Sequence, residues 1–353
     1  MPVKISKFHQ FWVKLTHWEY WPFDLVYFPV KIYFTWLALK NRSFFFFTPS
    51  NPSIDFGGML GESKSKIFNL IPEKFLPEMK LIKAGDLTSA KSFASQMGYP
   101  LICKPDIGER GKLVEKIGNE EALINYTSKC PVDFLIQELV DYPVELGVFY
   151  VRHPNDPNGK VTSIVQKDFL TVKGDGHSTV RQLLEASTRA KLQLDFDHPR
   201  FTHLMDLIPE KGTKQLVESI GNHCRGTTFL NMNAEIDEKL NQAIDKLSQQ
   251  IDGFYFGRYD LRCKSIDDLR QLQNFKILEL NGAGAEPGHI YQPGFSLLKA
   301  YGVLFWHFRM LSEISAAHRK KGVPHWSFSS GMQKLKEIKA YNKLIETSRA
   351  KSH

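Results

Sequence analysis

Between residues 100 and 281 the sequence alternates short apolar runs with polar turns, in a mixture of strand-length and helix-length segments. Pro100–Lys104 (PLICK) reads as a buried strand, and Leu113–Ile117 as its hairpin partner across the turn Asp106–Gly111. Asn119–Thr127 has helical character. Phe134–Glu138 and Glu145–Arg152 read as two more strands, and Val161–Val172 as a hairpin. After the turn Lys173-Gly174-Asp175-Gly176, Ser178 is placed to cap a helix reaching about Ala190. Glu235–Ile251 is amphipathic at helical spacing, and Phe254–Arg262 and Phe275–Asn281 are apolar strand runs that end in polar residues. Strands and helices interleaved with hairpins exclude a helix bundle or a sandwich and predict an α+β or mixed α/β fold. A chain of 353 residues has ample mass for such a core.

The ends of the last two runs carry the sharpest chemical signal. Phe256-Gly257-Arg258-Tyr259-Asp260-Leu261 brings an acid near the end of one strand, and Ile277-Leu278-Glu279-Leu280-Asn281-Gly282 brings Glu and Asn, two apart, to the end of the next. Residues two apart on a strand share a face, so Asp260, Glu279 and Asn281 can converge. All three are hard oxygen donors of the kind that hold Mg²⁺ against nucleotide phosphates. One such residue alone would more often be a solvated strand end; the ordered trio favours a metal. A second signal is Lys104 followed by Pro105-Asp106-Ile107-Gly108-Glu109-Arg110-Gly111. Glycines let backbone N–H groups approach a phosphate, and the lysine adds a point charge. A hairpin with two glycines is common and weak by itself, and no Walker loop is present. A third is Gln137-Glu138-Leu139-Val140, whose backbone can meet an adenine edge, with Glu145 seven residues beyond Glu138 and able to bond ribose hydroxyls.

Taken in this order, residues from about Ser63 to Pro293 resemble the ATP-grasp superfamily, most closely its D-alanine–D-alanine ligase and cyanophycin synthetase branches. YPLICKPDIGERGKLVEKI resembles the strand, lysine and glycine-rich loop over the triphosphate, and FLIQELVDYPVE the adenine hinge. RYDLR and ILELNGAGAEPG resemble the two metal strands, and VKGDGHSTVRQLL a stretch typical of cyanophycin synthetase-like domains. The resemblance implies an ATP-grasp fold of two α/β subdomains clasping ATP. It implies nucleotide contacts at Lys64 (or Lys66), Lys104, Gly108, Arg110, Gly111, Glu138, Leu139, Val140, Glu145 and Asn222. It implies Mg²⁺ (or Mn²⁺) on Asp260, Glu279 and Asn281, and catalytic roles for Arg225 and Lys104. Asn222 and Arg225 lie in IPEKGTKQLVESIGNHCRGT, the segment that resembles the one bringing an Asn and a base to the transferring phosphate. An isolated arginine is more commonly a surface ion-pair partner. Arg258 is a candidate for a substrate carboxylate or for pairing with Asp260, and His289 is more often structural in such a context. The implied reaction is ADP-forming ligation of a carboxylate to an amine through an acyl phosphate. The chain departs from D-alanine ligases: the loop lacks their paired serines, Cys263–Asn274 is longer and charged, and no Rossmann-like domain precedes the fold. D-alanine is therefore not the expected substrate.

In place of that domain stands an aromatic, basic segment, residues 1–60, expected to be helical, followed by the grasp domain at 61–300 and a basic helical extension at 301–353. Residues 1–50 hold six Lys/Arg against Glu19 and Asp24, and residues 301–353 hold ten against Glu313, Glu337 and Glu346, so the net charge of +8 belongs to the two ends. Phe8, Phe11, Trp12, Trp18, Trp21, Phe28, Trp36 and their neighbours suit a membrane-interfacial segment, with rings at headgroup level and cations on anionic lipid; packing onto the protein body is the competing reading. The run Leu25–Leu39, broken by Pro29 and Lys31, is too short to span. The tail Gln333–Lys351 reads as a basic helix with Leu335, Ile338, Leu344 and Ile345 near one face. Four scattered cysteines and no signal-like start fit a reducing cytoplasmic setting, with peripheral association on the inner membrane face. Nucleic acid is not expected as a partner, because no binding motif accompanies the basic charge. Two alternatives remain: an ATP-grasp-like kinase, and a membrane-surface protein with a non-catalytic nucleotide site.

Overall fold

The computed structural model describes residue 18 and residues 21–350, apart from 109–110, 188–189, 192–193, 199–200, 219–220 and 222–225. Helix α1 (Phe23–Lys40) leads to an irregular stretch and the short helix α2 (Lys64–Phe68). A four-stranded antiparallel sheet follows in the order β1 (Met79–Ile82), β4 (Phe134–Glu138), β2 (Leu101–Pro105), β3 (Glu115–Ile117). Helices α3 (Leu87–Met97) and α4 (Glu120–Lys129) cover one of its faces. Each has a side-chain cap, Asp86 bonding Ser89 N–H and Asn119 bonding Ala122 N–H. Their apolar stripes meet Ile82, Leu101, Cys103, Phe134 and Ile136 in one core. The opposite face carries Lys104.

The chain leaves the first sheet at Glu138 and enters the second at β5 (Val144–Val151), so Leu139 and Val140 lie on the crossing. The second sheet is also antiparallel, in the order β11 (Phe275–Asn281), β10 (Phe256–Cys263), β5, β6 (Lys160–Asp168), β9 (Thr228–Asn231). Period-two alternation divides it into two faces. Leu146, Val148, Tyr150, Ile164, Tyr259 and Leu261 pack beneath α7 (Glu238–Ser248), which is capped by Asp237. The other face carries Glu145, Gly147, Phe149 and Val151 on β5 and Phe256, Arg258, Asp260 and Arg262 on β10, in matched register. Its apolar end, Phe149, Val151 and Phe256, is closed by α1, the Phe45–Phe47 run and α9 (Leu297–Lys320). Its polar end faces the first sheet.

Two local expectations are corrected. The run Val161–Val172 is not a hairpin: β6 ends at Asp168 and pairs with β5 and β9, while β7 (Thr171–Lys173) pairs with β8 (Lys214–Leu216). The helix after the Gly-Asp-Gly turn, α5 (Val180–Glu185), is capped by Thr179 rather than Ser178, because Gln182 three residues on completes a reciprocal capping box; it stops at Glu185, short of Ala190. The C-terminal stretch forms a helix, α10 (Phe328–Ala350), that packs onto the body of the protein. Leu335 packs with the core under α1 and α9, and Ile345 is buried in the first sheet's core. Two further short helices, α6 (Thr202–Met205) and α8 (Ile266–Arg270), complete the described set, α8 lying within the charged link between β10 and β11.

Candidate active site

The site forms where the polar end of the second sheet meets the first. Asp260 and Glu279 are directly opposed across β10 and β11, and Asn281 is opposed to Arg258, two residues along on the same face. The register slips between Asp260 and Leu261, and the pairing passes over Leu278. That bulge releases the Leu278 carbonyl, which accepts a hydrogen bond of 2.9 Å from Lys104 Nζ, reaching over from the first sheet. The lysine is buried with its ammonium 5.2 Å from the centre of the Phe68 ring. Burial depresses its pKa to about 8, with Lys64 adding to the depression and Glu279 and Asp106 opposing it.

Lys64, at the start of α2, also points inward. Its Nζ donates to Gly108 O at 2.7 Å and lies 3.8 Å from Glu279 Oε1. Asp106 fixes this helix start, its carboxylate accepting from Ser65 N–H at 2.8 Å and its carbonyl from Lys64 N–H at 2.9 Å. Lys66, the other candidate, is exposed. Gly111 adopts the positive φ of 67° that a tight turn requires, while Arg110 lies outside the described residues.

Asp260 is 5 % exposed and its charge is shared with two cations. Arg258 grips both oxygens, Nε to Oδ1 at 3.0 Å and Nη2 to Oδ2 at 3.2 Å, and Lys167 Nζ stands 3.5 Å from Oδ1. Although burial alone would raise its pKa, these cations hold the carboxyl below the ordinary range. Glu145 sits beside it, bonded to Lys167 at 3.1 Å and to Arg262 at 2.8 Å. Both of its oxygens are therefore engaged, and a ribose hydroxyl would share them with these cations. Arg262 also donates to Val140 O at 2.9 Å, tying the strand to the crossing segment; Glu138 bonds Glu78 N–H at 3.1 Å.

Sequence reasoning missed Lys167 and Gly147. Lys167 is the third residue along β6 on the site face after Ser163 and Val165, a signal hidden by reading Val161–Val172 as a hairpin. Gly147 is opposed to Asp260, where a Cβ would stand 3.3 Å from Asp260 Oδ1 and 2.9 Å from Val165 Cγ1. The missing side chain makes room for the carboxylate. Asn222 and Arg225 lie outside the described residues. Gly221, just before them, lies against the site: a Cβ on it would meet Glu145 Oε1 at 2.4 Å and Lys167 Cδ at 2.9 Å. His289 is structural in contact, its Nδ1 sharing a 2.7 Å hydrogen bond with Ser163 Oγ.

Among the described residues no group of three or more His, Cys, Asp or Glu could hold a metal unaided. The site offers two carboxylates and an amide, all oxygen donors. That set fits a Mg²⁺ ion, which commonly takes one or two protein carboxylates and completes its shell with phosphate oxygens and water. Glu279 and Asn281 are partly exposed, whereas Asp260 is buried and would have to exchange part of its hold on Arg258.

No family model matches the chain. Over 89 residues it is 32 % identical to alpha-aminoadipate–LysW ligase LysX of Saccharolobus solfataricus, a match covering 23 % of this chain and 32 % of that protein, so it spans about a third of that relative. In structure it resembles ATP-grasp ligases. It is similar to the VanG D-Ala:D-Ser ligase of Enterococcus faecalis (TM-score 0.40, 15 % identity, 72 % of this chain and 61 % of that one). It is likewise similar to the D-alanine–D-alanine ligase of Bacillus anthracis (0.39, 13 %, 73 % and 67 %). A third likeness is to the ATP-grasp ligase PsnB solved with a phosphomimetic precursor variant, Mg and ADP (0.38, 14 %, 72 % and 58 %).

Proposed function

We propose that the chain is an ATP- and Mg²⁺-dependent ligase that joins a carboxylate to an amine through an acyl phosphate. The observation that carries this reading is the convergence of Lys104 and Lys64, from the first sheet and α2, on the strand bearing Glu279 and Asn281. Two cations set beside two oxygen donors suit a triphosphate with its metal. The name of LysX, an alpha-aminoadipate–LysW ligase, agrees with a ligase reading.

A carboxylate is a poor electrophile, and phosphorylation converts it into one with a good leaving group. A substrate carboxylate oxygen attacks the γ-phosphorus, the bond to the ADP oxygen breaks, and an acyl phosphate results. The amine nitrogen then attacks the acyl carbon, inorganic phosphate leaves, and the amine proton passes to solvent. This chemistry asks the protein for positioning and charge rather than for a nucleophile. Lys104, made less basic by burial yet still cationic near neutral pH, and Lys64 would hold phosphate oxygens. Asp260, Glu279 and Asn281 would hold Mg²⁺, which supplies charge neutralisation to the phosphates. Arg258, which bonds Asp260 and Glu286 O, would orient the acid substrate through its remaining donors. Arg225 is proposed to stabilise the transferring group.

The test is Mg²⁺-dependent ADP release by the wild type and Glu279→Ala, with pooled amino acids and hydroxylamine. Stimulated turnover that yields a hydroxamate, lost in Glu279→Ala, supports the ligase. Turnover without hydroxamate assigns the site to a kinase, and absence of ATP binding by the wild type removes the reading.

A further inference from the structure

Helix α1 is apolar on two opposite faces, and only one of them is packed. Val26, Tyr27, Val30, Leu37 and Ala38 are buried against α9 and the second sheet. Leu25, Phe28, Ile32, Trp36 and Leu39 recur at i, i+3, i+7, i+11 and i+14, a single stripe at helical spacing. Each is exposed, from 50 % at Trp36 to 68 % at Leu39. At 1.5 Å per residue the stripe from Leu25 to Leu39 is about 21 Å long. Helix α9 runs beside it, Tyr301 donating to Val26 O at 2.8 Å and Phe305 packing on Tyr33 at 4.8 Å, and it extends the surface with Leu298, 81 % exposed. Contiguous exposed apolar surface of this extent marks a contact site rather than ordinary scatter.

The charges around the stripe say what covers it. Lys31 and Lys40 flank it on α1, Arg42 lies just beyond its end, and Lys299 and Arg309 are exposed on α9. The acids nearby are Asp24, paired with Lys31 at 2.5 Å, and Glu313, paired with Arg309 at 3.6 Å. Lys40 Nζ lies 5.3 Å from the Trp36 ring centre, presenting a cation and an aromatic ring together. No helix among the described residues is long and apolar enough to cross a membrane.

We infer that the outer face of α1, with the start of α9, docks flat on an anionic lipid bilayer. The stripe enters the headgroup–acyl boundary and the flanking cations meet lipid phosphates and carboxylates. This goes beyond the ligase reading and does not depend on it.

The experiment is sedimentation of the full chain with phosphatidylcholine vesicles containing about 30 % phosphatidylserine, and with phosphatidylcholine alone. The variant is Phe28→Ser/Ile32→Ser, at two exposed positions whose loss leaves the core intact, with Leu344→Ser, at an exposed position of α10, as control. Expected are binding to anionic vesicles, weakening as salt rises from about 0.1 to about 0.5 M, and a loss on the order of tenfold or more in the double variant. The control should bind as wild type, and unchanged thermal melts should show that each variant is folded. Wild type that stays in the supernatant overturns the inference, as does equal binding by the double variant. A dimer that dissociates in the double variant, without lipid binding by wild type, assigns the face to a second copy and overturns it too.

Discussion

Replacing Lys104 with methionine should make the protein more stable and less able to bind ATP. The ammonium is buried, and its pKa falls from 10.5 to about 8. At about 1.4 kcal/mol per tenfold change in proton affinity, keeping it charged in the folded state costs about 3 kcal/mol. Methionine fills a similar volume and removes that cost. It leaves the Leu278 carbonyl without its donor, a loss of about 1–2 kcal/mol. The net expectation at pH 7 is a gain of about 1–2 kcal/mol. The pH dependence fixes the cause. Below pH 8 the lysine is protonated in both folded and unfolded chains, and the full cost is present. Between about 8 and 10.5 the unfolded chain binds the proton more tightly, so wild-type stability rises with pH through that window. The advantage of Lys104→Met should therefore shrink on going from pH 7 to about pH 10. Urea unfolding of both proteins at the two pH values, without nucleotide, measures it. A variant less stable than wild type at pH 7, or a difference that does not move with pH, would refute the burial argument. Isothermal titration with Mg·ATP should show the variant's affinity reduced by tenfold or more, on the order of one charged contact.

Arg258→Met should destabilise the fold by about 3 kcal/mol, since it strips Asp260 of its bidentate partner, and adding Asp260→Asn should recover much of that loss in a double-mutant cycle. Additive losses in urea unfolding would mean the pair is not coupled. Gly147→Val should cost about 1–3 kcal/mol by crowding Val165 and Asp260, read as a lowered urea midpoint. His307 bonds the Val303 carbonyl through Nδ1 and Thr162 through Nε2, and burial pushes it down to about 4. The unfolded chain takes up its proton first, so stability is present above about pH 6.5 and falls towards pH 4, and His307→Gln should flatten that acid slope; an unchanged slope would assign it to other groups.

The parts of the fold legible in the sequence were those with strong local periodicity. β2, β4, β5, β10 and β11 each follow from an apolar run bounded by polar residues, and α7 from its amphipathic stripe. Asp260 and Glu279 could be placed on one face because side chains alternate along strands whatever the partner. Partner choice could not be read the same way. β6 and β7 are adjacent in sequence but lie in different sheets, since Leu170 and its neighbours turn the chain towards β8. The Lys104–Leu278 bond depends on a one-residue register slip that no local pattern records. Lys167 needed the pairing of β6 with β5 before its face was known. The composition of α1 was equally ambiguous: a largely apolar helix reads as core or as interface, and α1 is core on one side and exposed on the other.

The two faces of α1 determine how its roles can be separated. Its inner face is part of the site's scaffold. Tyr27 donates to Glu286 Oε1 at 2.6 Å, the Glu286 carbonyl accepts from Arg258 at 3.0 Å, and Arg258 holds Asp260. Just after the helix, Asn51 bonds Phe256 through both backbone groups, and Gly57 O and Gly58 O accept from Ala283 and Gly284 N–H, fastening the loop that follows the Glu279–Asn281 strand. Gly58 is glycine because its φ is 73° and a Cβ would stand 2.7 Å from Gly282 Cα. Removing residues 1–60 would therefore take away the support of Arg258 and of the Glu279–Asn281 strand together with the apolar stripe. A truncated chain that neither binds vesicles nor turns over ATP would be the same result whether α1 served lipid, catalysis or folding alone. Substitutions on the outer stripe touch none of these contacts. Since a packed helix is only about 10 Å across, a bilayer on that stripe would lie roughly one helix diameter from the end of the site face. Vesicle binding and ATP turnover thus become separable on the outer stripe, as at Phe28 and Ile32, where one face of the helix can change without the other.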